Sequence, residues 1–147
     1  MYHPVTRTTI AATDIAIDRD ELVRLTLDLC NIESPAGREA EVGMFVFGWM
    51  QREGFAPKKI AMFPDRFNIL GILPGCGDGY SLIFNSHLDT GRSKADRWSI
   101  REPDAAINHG AWREGDTLYG EGVVNDKGPL CGASCASCLP VPVCPAK

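Results

Sequence analysis

"VGMFVFGWMQREGFAPKKIAMFPDRFNILGILPG", residues 42 to 75, changes its hydrophobic period part-way through. Val42, Phe45, Val46, Trp49 and Met50 stand at i, i+3, i+4, i+7 and i+8, the stripe of an amphipathic helix whose buried face includes Trp49. Gly54 closes that run at the left-handed position a helix end favours. Beyond it, "FAPKKIAMF" and "RFNILGILPG" are short, apolar and partly β-branched, the signature of strands. A helix passing directly into strands predicts an α/β fold in which helices cover a sheet.

Toward the N-terminus, Asp18 opens "DRDELVRLTLDLCNI" with Glu21 three positions on as a capping-box partner and Leu22, Leu25 and Leu29 at helical spacing. That is a first helix, joined to the second through "ESPAGRE", where Ser34, Pro35 and Gly37 read as turn residues. Residues 1 to 17 show no sustained period and read as a loose arm. Toward the C-terminus, "GCGDG" at 75 to 79 is a turn ahead of the apolar run Tyr80 to Ser86, a third strand with the look of a buried one. No internal repeat is apparent.

Composition narrows the partners. The formal charge is −4, and no Lys/Arg cluster supplies the cations that phosphate contact and counterion release require, so a nucleic acid or an anionic membrane is not expected. No stretch has the length of a membrane span or a secretory h-region, and the expected location is the cytoplasm. Of the six cysteines, Cys131, Cys135, Cys138 and Cys144 crowd the C-terminal segment; without a secretion signal a disulfide framework is not expected. His3 and His109 lie in polar contexts and read as solvated. Trp98 and Trp112 fit either a pocket wall or a loop cover.

The third strand runs into "NSHLDTG", residues 85 to 91. Side chains alternate across a strand, so His87 and Asp89 share one side. Strand ends are where α/β proteins place ligands, and an imidazole that binds metal commonly has a carboxylate holding its ring. About thirty residues on, Gly120, Gly122 and Gly128 of "GEGVVNDKG" frame Asn125, Asp126 and Lys127 on a tight backbone path. That segment lacks the remaining glycine of a dinucleotide fingerprint and the rest of a Walker motif, which argues against a phosphate loop.

Together, "NSHLDTG" and "GEGVVNDKG" resemble two motifs of the zinc metallopeptidase and amidohydrolase family of acetylornithine deacetylase, succinyl-diaminopimelate desuccinylase, aminoacylase and carboxypeptidase G. The resemblance extends through "LCNIESPAGRE", "MQREGF" and "NILGILPG", and covers roughly residues 18 to 130. It implies the N-terminal part of a zinc-exopeptidase-like catalytic domain, with helices packed on a mixed sheet, and a parent protein that dimerises through a smaller domain absent here. It also implies a small-molecule or dipeptide substrate cleaved at a peptide or N-acyl amide bond. By the same resemblance the parent holds two zinc ions, a pair weakened or incomplete here, with His87 a ligand of one of them and Asp89 its orienting carboxylate. The family's bridging aspartate falls on Asn125, with Asp126 one place later as the alternative. After Asp126 the chain contains no Glu, Asp or His. The family's general-base glutamate and remaining ligands are therefore missing, and the chain alone is expected to be an inactive fragment.

Residues 131 to 147, "CGASCASCLPVPVCPAK", break the pattern. Pro140, Pro142 and Pro145 forbid a regular helix in the second half. The shift reads as out-of-frame or artificially joined sequence; a real variant terminus and a four-cysteine zinc knuckle are the alternatives. A non-enzymatic binding or thiol-metal protein thus stands as the second functional reading. A partial sheet leaves apolar edges uncovered, so self-association is expected.

Overall fold

The computed structural model describes residues 17 to 74, 80 to 91 and 110 to 137. Its elements in chain order are α1 (Arg19–Asn31), α2 (Ala40–Arg52), β1 (Lys58–Phe63), β2 (Arg66–Leu70), β3 (Trp112–Glu114), β4 (Thr117–Tyr119) and α3 (Lys127–Ser137). The predicted arm and His3, Trp98, His109, Cys138 and Cys144 fall largely or wholly outside the described residues.

Helix α1 starts where its cap predicts. The Asp18 carboxylate accepts from the backbone N–H groups of Asp20 and Glu21, each at 3.0 Å, satisfying two donors that a helix start leaves unpaired. The expected reciprocal bond of a capping box is replaced: the Glu21 carboxylate takes a two-pronged bond from the Arg24 guanidinium, at 2.6 and 2.9 Å. Arg24 outcompetes the cap backbone because it stands one turn along the same face and is charged.

Helix α2 ends in a Schellman turn. Phe55 N–H donates to the Met50 carbonyl at 3.0 Å and Gly54 N–H to Gln51 at 3.3 Å, with Gly54 at φ +81°. β1 and β2 follow as an antiparallel hairpin whose register runs from Lys58 opposite Leu70 to Phe63 opposite Arg66. β2 lies on α2, where the absence of a side chain at Gly43 admits the Phe67 ring: a Cβ there would stand 2.9 Å from it.

The buried core joins all three helices: Leu25 and Leu29 of α1, Val42, Val46 and Trp49 of α2, and Cys131 and Cys135 of α3. Ile69 of β2 and Leu88 pack against it. α3 runs through the point where the composition shifts at Cys131, because Cys131 and Cys135 at i, i+4 form an apolar stripe against α1.

The α/β class holds, with one correction in the sheet. Among the described residues there are two separate antiparallel pairs, β1 with β2 and β3 with β4, and residues 80 to 86 join neither. Tyr80 is 94% exposed, Leu82 77% and Ile83 84%, where a buried strand was expected. A segment apolar on both faces needs strands at both edges and layers above and below. The described elements do not supply them.

Candidate functional site

The end of α1 organises the site. Asn31 brackets Ala111 with its side-chain amide, accepting from Ala111 N–H at 2.9 Å and donating to its carbonyl at 3.1 Å. Ser34, fully buried, donates its hydroxyl to the Leu88 carbonyl at 2.7 Å, and its own carbonyl accepts from Thr90 N–H at 2.8 Å. These bonds hold residues 88 to 90 in place, immediately after His87.

A second approach comes from the glycine-framed segment. Gly122 has φ +87°, and a Cβ on it would stand 2.9 Å from the Thr90 methyl and 3.2 Å from Lys127 Cδ. Only glycine lets the backbone pass this close to the 88 to 90 segment in that conformation. The chain then presents Asn125 and Asp126 immediately before α3 begins at Lys127.

The two segments meet at His87. Its Nδ1 faces the Asp89 carboxylate at 3.2 Å and the Asp89 carbonyl at 3.0 Å, while its Nε2 faces Asn125 Oδ1 at 3.1 Å. Asp126 turns elsewhere: its carboxylate accepts from the Ser86 hydroxyl at 2.8 Å and from His87 N–H at 3.3 Å. Slight burial pulls the His87 imidazole down, but the bonds to Asn125 and the Asp89 carbonyl, with the charges of Asp89 and Asp126, outweigh it and leave its pKa above the ordinary value.

This arrangement has a definite chemical character. A neutral imidazole carries one proton, and Nδ1 facing two oxygens is where it belongs, which turns the Nε2 lone pair toward a carbonyl oxygen. Two acceptors 3.1 Å apart are reconciled by a second ring proton, by rotation of the Asn125 amide so that its Nδ2 donates to the ring, or by a cation between them. Zinc bonds of about 2.0 to 2.2 Å put two ligand atoms of one ion about 3 to 3.5 Å apart, so His87 and Asn125 fit two positions of such an ion. Among the described residues no group of three or more His, Cys, Asp or Glu is placed to hold a metal. Asn125, an amide, supplies a donor without charge.

A cleft of about 860 Å³ opens beside this group, between β2 and residues 84 to 89, with Phe67, Ile69, Phe84, His87, Asp89 and Asp126 on its walls. Apolar Phe67, Ile69 and Phe84 share its walls with polar His87, Asp89 and Asp126.

Two residues inside the quoted motifs, Lys127 and Ser86, take partners that the motifs do not indicate. Lys127 is fully buried, and its ammonium donates to the Leu29 carbonyl at 3.0 Å and the Ile32 carbonyl at 2.8 Å. Burial pulls its pKa down, opposed by Cys30, Glu121 and Cys131. The signal lay in α1, whose last turn holds no basic residue to meet its carbonyls. Ser86, by contrast, is an ordinary strand-end serine in sequence and carries no signal.

Among the described thiols, Cys131 and Cys135 of the tail belong to the packing rather than the surface. Burial pushes Cys131 up to about 12 and Cys30 up to about 11, so both stay protonated at neutral pH. Trp112 stacks on Tyr119 across the β3–β4 pair, with ring centroids 5.2 Å apart, and does not line the cleft. No helix among the described residues is long and apolar enough to cross a membrane.

Comparison with known proteins points the same way as the motifs. No protein-family model matches the chain. It is 30% identical over 117 residues to N-formyl-4-amino-5-aminomethyl-2-methylpyrimidine deformylase of Bacillus subtilis, a match covering 76% of this chain and 26% of that protein. It is also 30% identical over 127 residues to a probable carboxypeptidase of Uncinocarpus reesii, covering 80% of this chain and 28% of that protein. The chain therefore spans about a quarter of the length of the curated relatives it matches. By their names, one a deformylase and the other a peptidase, both relatives are hydrolases.

Proposed function

We propose that this chain is the N-terminal part of a zinc-dependent hydrolase that cleaves peptide or N-acyl amide bonds in a small-molecule or dipeptide substrate. The observation that carries the reading is His87, held at Nδ1 by Asp89 and facing the Asn125 carbonyl oxygen through Nε2. The likeness to a deformylase and a carboxypeptidase supports the same class of bond.

In this reading His87 Nε2 and Asn125 Oδ1 hold the ion. When bound, zinc polarises a scissile carbonyl and lowers the pKa of bound water toward neutrality. The chain's own groups do the positioning. Asp89 accepts the Nδ1 proton, fixes the tautomer and makes the ring a better donor. Asp126, tied to Ser86 and to His87 N–H, keeps the loop that carries Asn125 against residues 86 and 87. The cleft between β2 and residues 84 to 89 receives the substrate's apolar part. No acidic residue or histidine follows Asp126, so this chain does not supply the glutamate that would take a proton from water. Turnover then belongs to a longer parent, a homodimer through a domain beyond this segment, in the cytoplasm.

The test is zinc titration by calorimetry on the wild type, His87→Ala and Asn125→Asp. Loss of binding in His87→Ala and an affinity gain of about tenfold or more in Asn125→Asp, which adds a charged oxygen at the same place, are expected. Equal zinc uptake by wild type and His87→Ala would refute the reading.

A further inference from the structure

We propose that Lys127 is the positioning residue of this site: by anchoring its ammonium in the end of α1, it sets where Asn125 and Asp126 stand against His87. The consequence for metal binding rests on the reading of His87 above; the positioning itself does not.

A lysine is almost never fully buried unless its charge is met. Here it is met by the Leu29 and Ile32 carbonyls, at 3.0 and 2.8 Å, at the negative end of a helix whose last turn carries no cation. Lys127 directly follows Asp126, two positions from Asn125, and Cα atoms joined by a trans peptide such as Asp126–Lys127 are about 3.8 Å apart, so an anchored Lys127 leaves Asp126 and Asn125 little room to move. The other half of the site is tied to the same helix end, because Ser34 holds Leu88 and Thr90. One helix terminus thereby references both sides of the His87–Asn125 approach. Removing the ammonium frees the Asn125 side alone, since Ser34 still holds the His87 side.

The reporter is the His87 amide, which donates to Asp126 Oδ2 at 3.3 Å and loses that acceptor if Asp126 shifts. In Lys127→Met, amide hydrogen exchange at His87 is expected to speed up about tenfold, while core amides of Leu25 and Leu29 stay within about threefold of wild type. Lys127→Arg, which keeps a cation at the helix end, is expected to restore part of the protection. An unchanged His87 amide in a folded Lys127→Met protein overturns the proposal, and so does an equal acceleration at every amide, which marks a purely structural lysine. Should Lys127→Met fail to fold, the wild type decides: scalar couplings from Lys127 15Nζ to the carbonyl carbons of Leu29 and Ile32 are expected, and their absence overturns it. With Zn2+ as probe, Lys127→Met is expected to weaken binding about 10- to 100-fold. A wild type that binds no zinc would sink the functional reading and leave the exchange result to judge Lys127.

Discussion

Raising the pH above 9 should destabilise this protein through its buried thiols, and the size of the effect follows from Cys131. Its thiol is fully buried and pushed from the ordinary 9.0 to about 12, chiefly by burial. Between those values the unfolded chain holds a thiolate and the folded chain a thiol. The folded state thus binds more protons, and stability falls as pH rises, by about 1.36 kcal/mol per unit. The full loss across the window is about 4 kcal/mol from Cys131 alone, against the 5 to 15 kcal/mol typical of a domain. Cys30, raised to about 11, acts in the same direction. Lys127 opposes them: its folded pKa is lowered, so its contribution to stability improves as pH climbs toward 10.5. Urea denaturation followed by far-UV circular dichroism at pH 8, 9, 10 and 11, in wild type and Cys131→Ala, isolates the thiol. The variant starts less stable but should lose less stability between pH 9 and 11, by about 2 to 3 kcal/mol. Parallel pH dependences in the two proteins would show that Cys131 is not a buried core residue.

Three further outcomes are expected. Asp18→Ala removes two capping bonds and should cost about 0.5 to 2 kcal/mol in the same urea assay. Gly122→Ala should cost about 1 to 3 kcal/mol, because its φ of +87° suits only glycine and its new Cβ meets Thr90; a neutral result would mean the segment does not pass so close. Ile83→Lys should reduce self-association in sedimentation velocity, since Ile83 is 84% exposed in an apolar segment that pairs with no strand among the described residues; unchanged association would place the contact elsewhere.

Much of this fold is local and therefore legible in sequence. The period of Val42 to Met50 gives α2, Gly54 gives its end, and the shorter runs after it give the β1–β2 hairpin. His87 Nδ1 stands 3.2 Å from the Asp89 carboxylate and its Nε2 3.1 Å from Asn125 Oδ1, so the two quoted sequence segments lie side by side. Residues 80 to 86 read as a core strand because their composition is right, but pairing is a property of neighbours, and composition cannot supply them. Lys127 was obscure for the same reason: its partners lie 95 and 98 positions away in the sequence. Cys131 and Cys135 read as an anomaly because cysteines suggest metal or disulfides, whereas here they behave as small apolar residues on a helix face.

The two functional readings differ in where an ion sits, and one measurement separates them. Zinc stoichiometry, by calorimetry and by elemental analysis after dialysis, should be compared in wild type, His87→Ala and Cys135→Ser/Cys138→Ser. The account predicts zinc bound by the wild type and the double serine variant and lost from His87→Ala. Zinc that persists in His87→Ala and vanishes with the two cysteines would contradict it, and would assign the metal to a thiol module at the C-terminal segment.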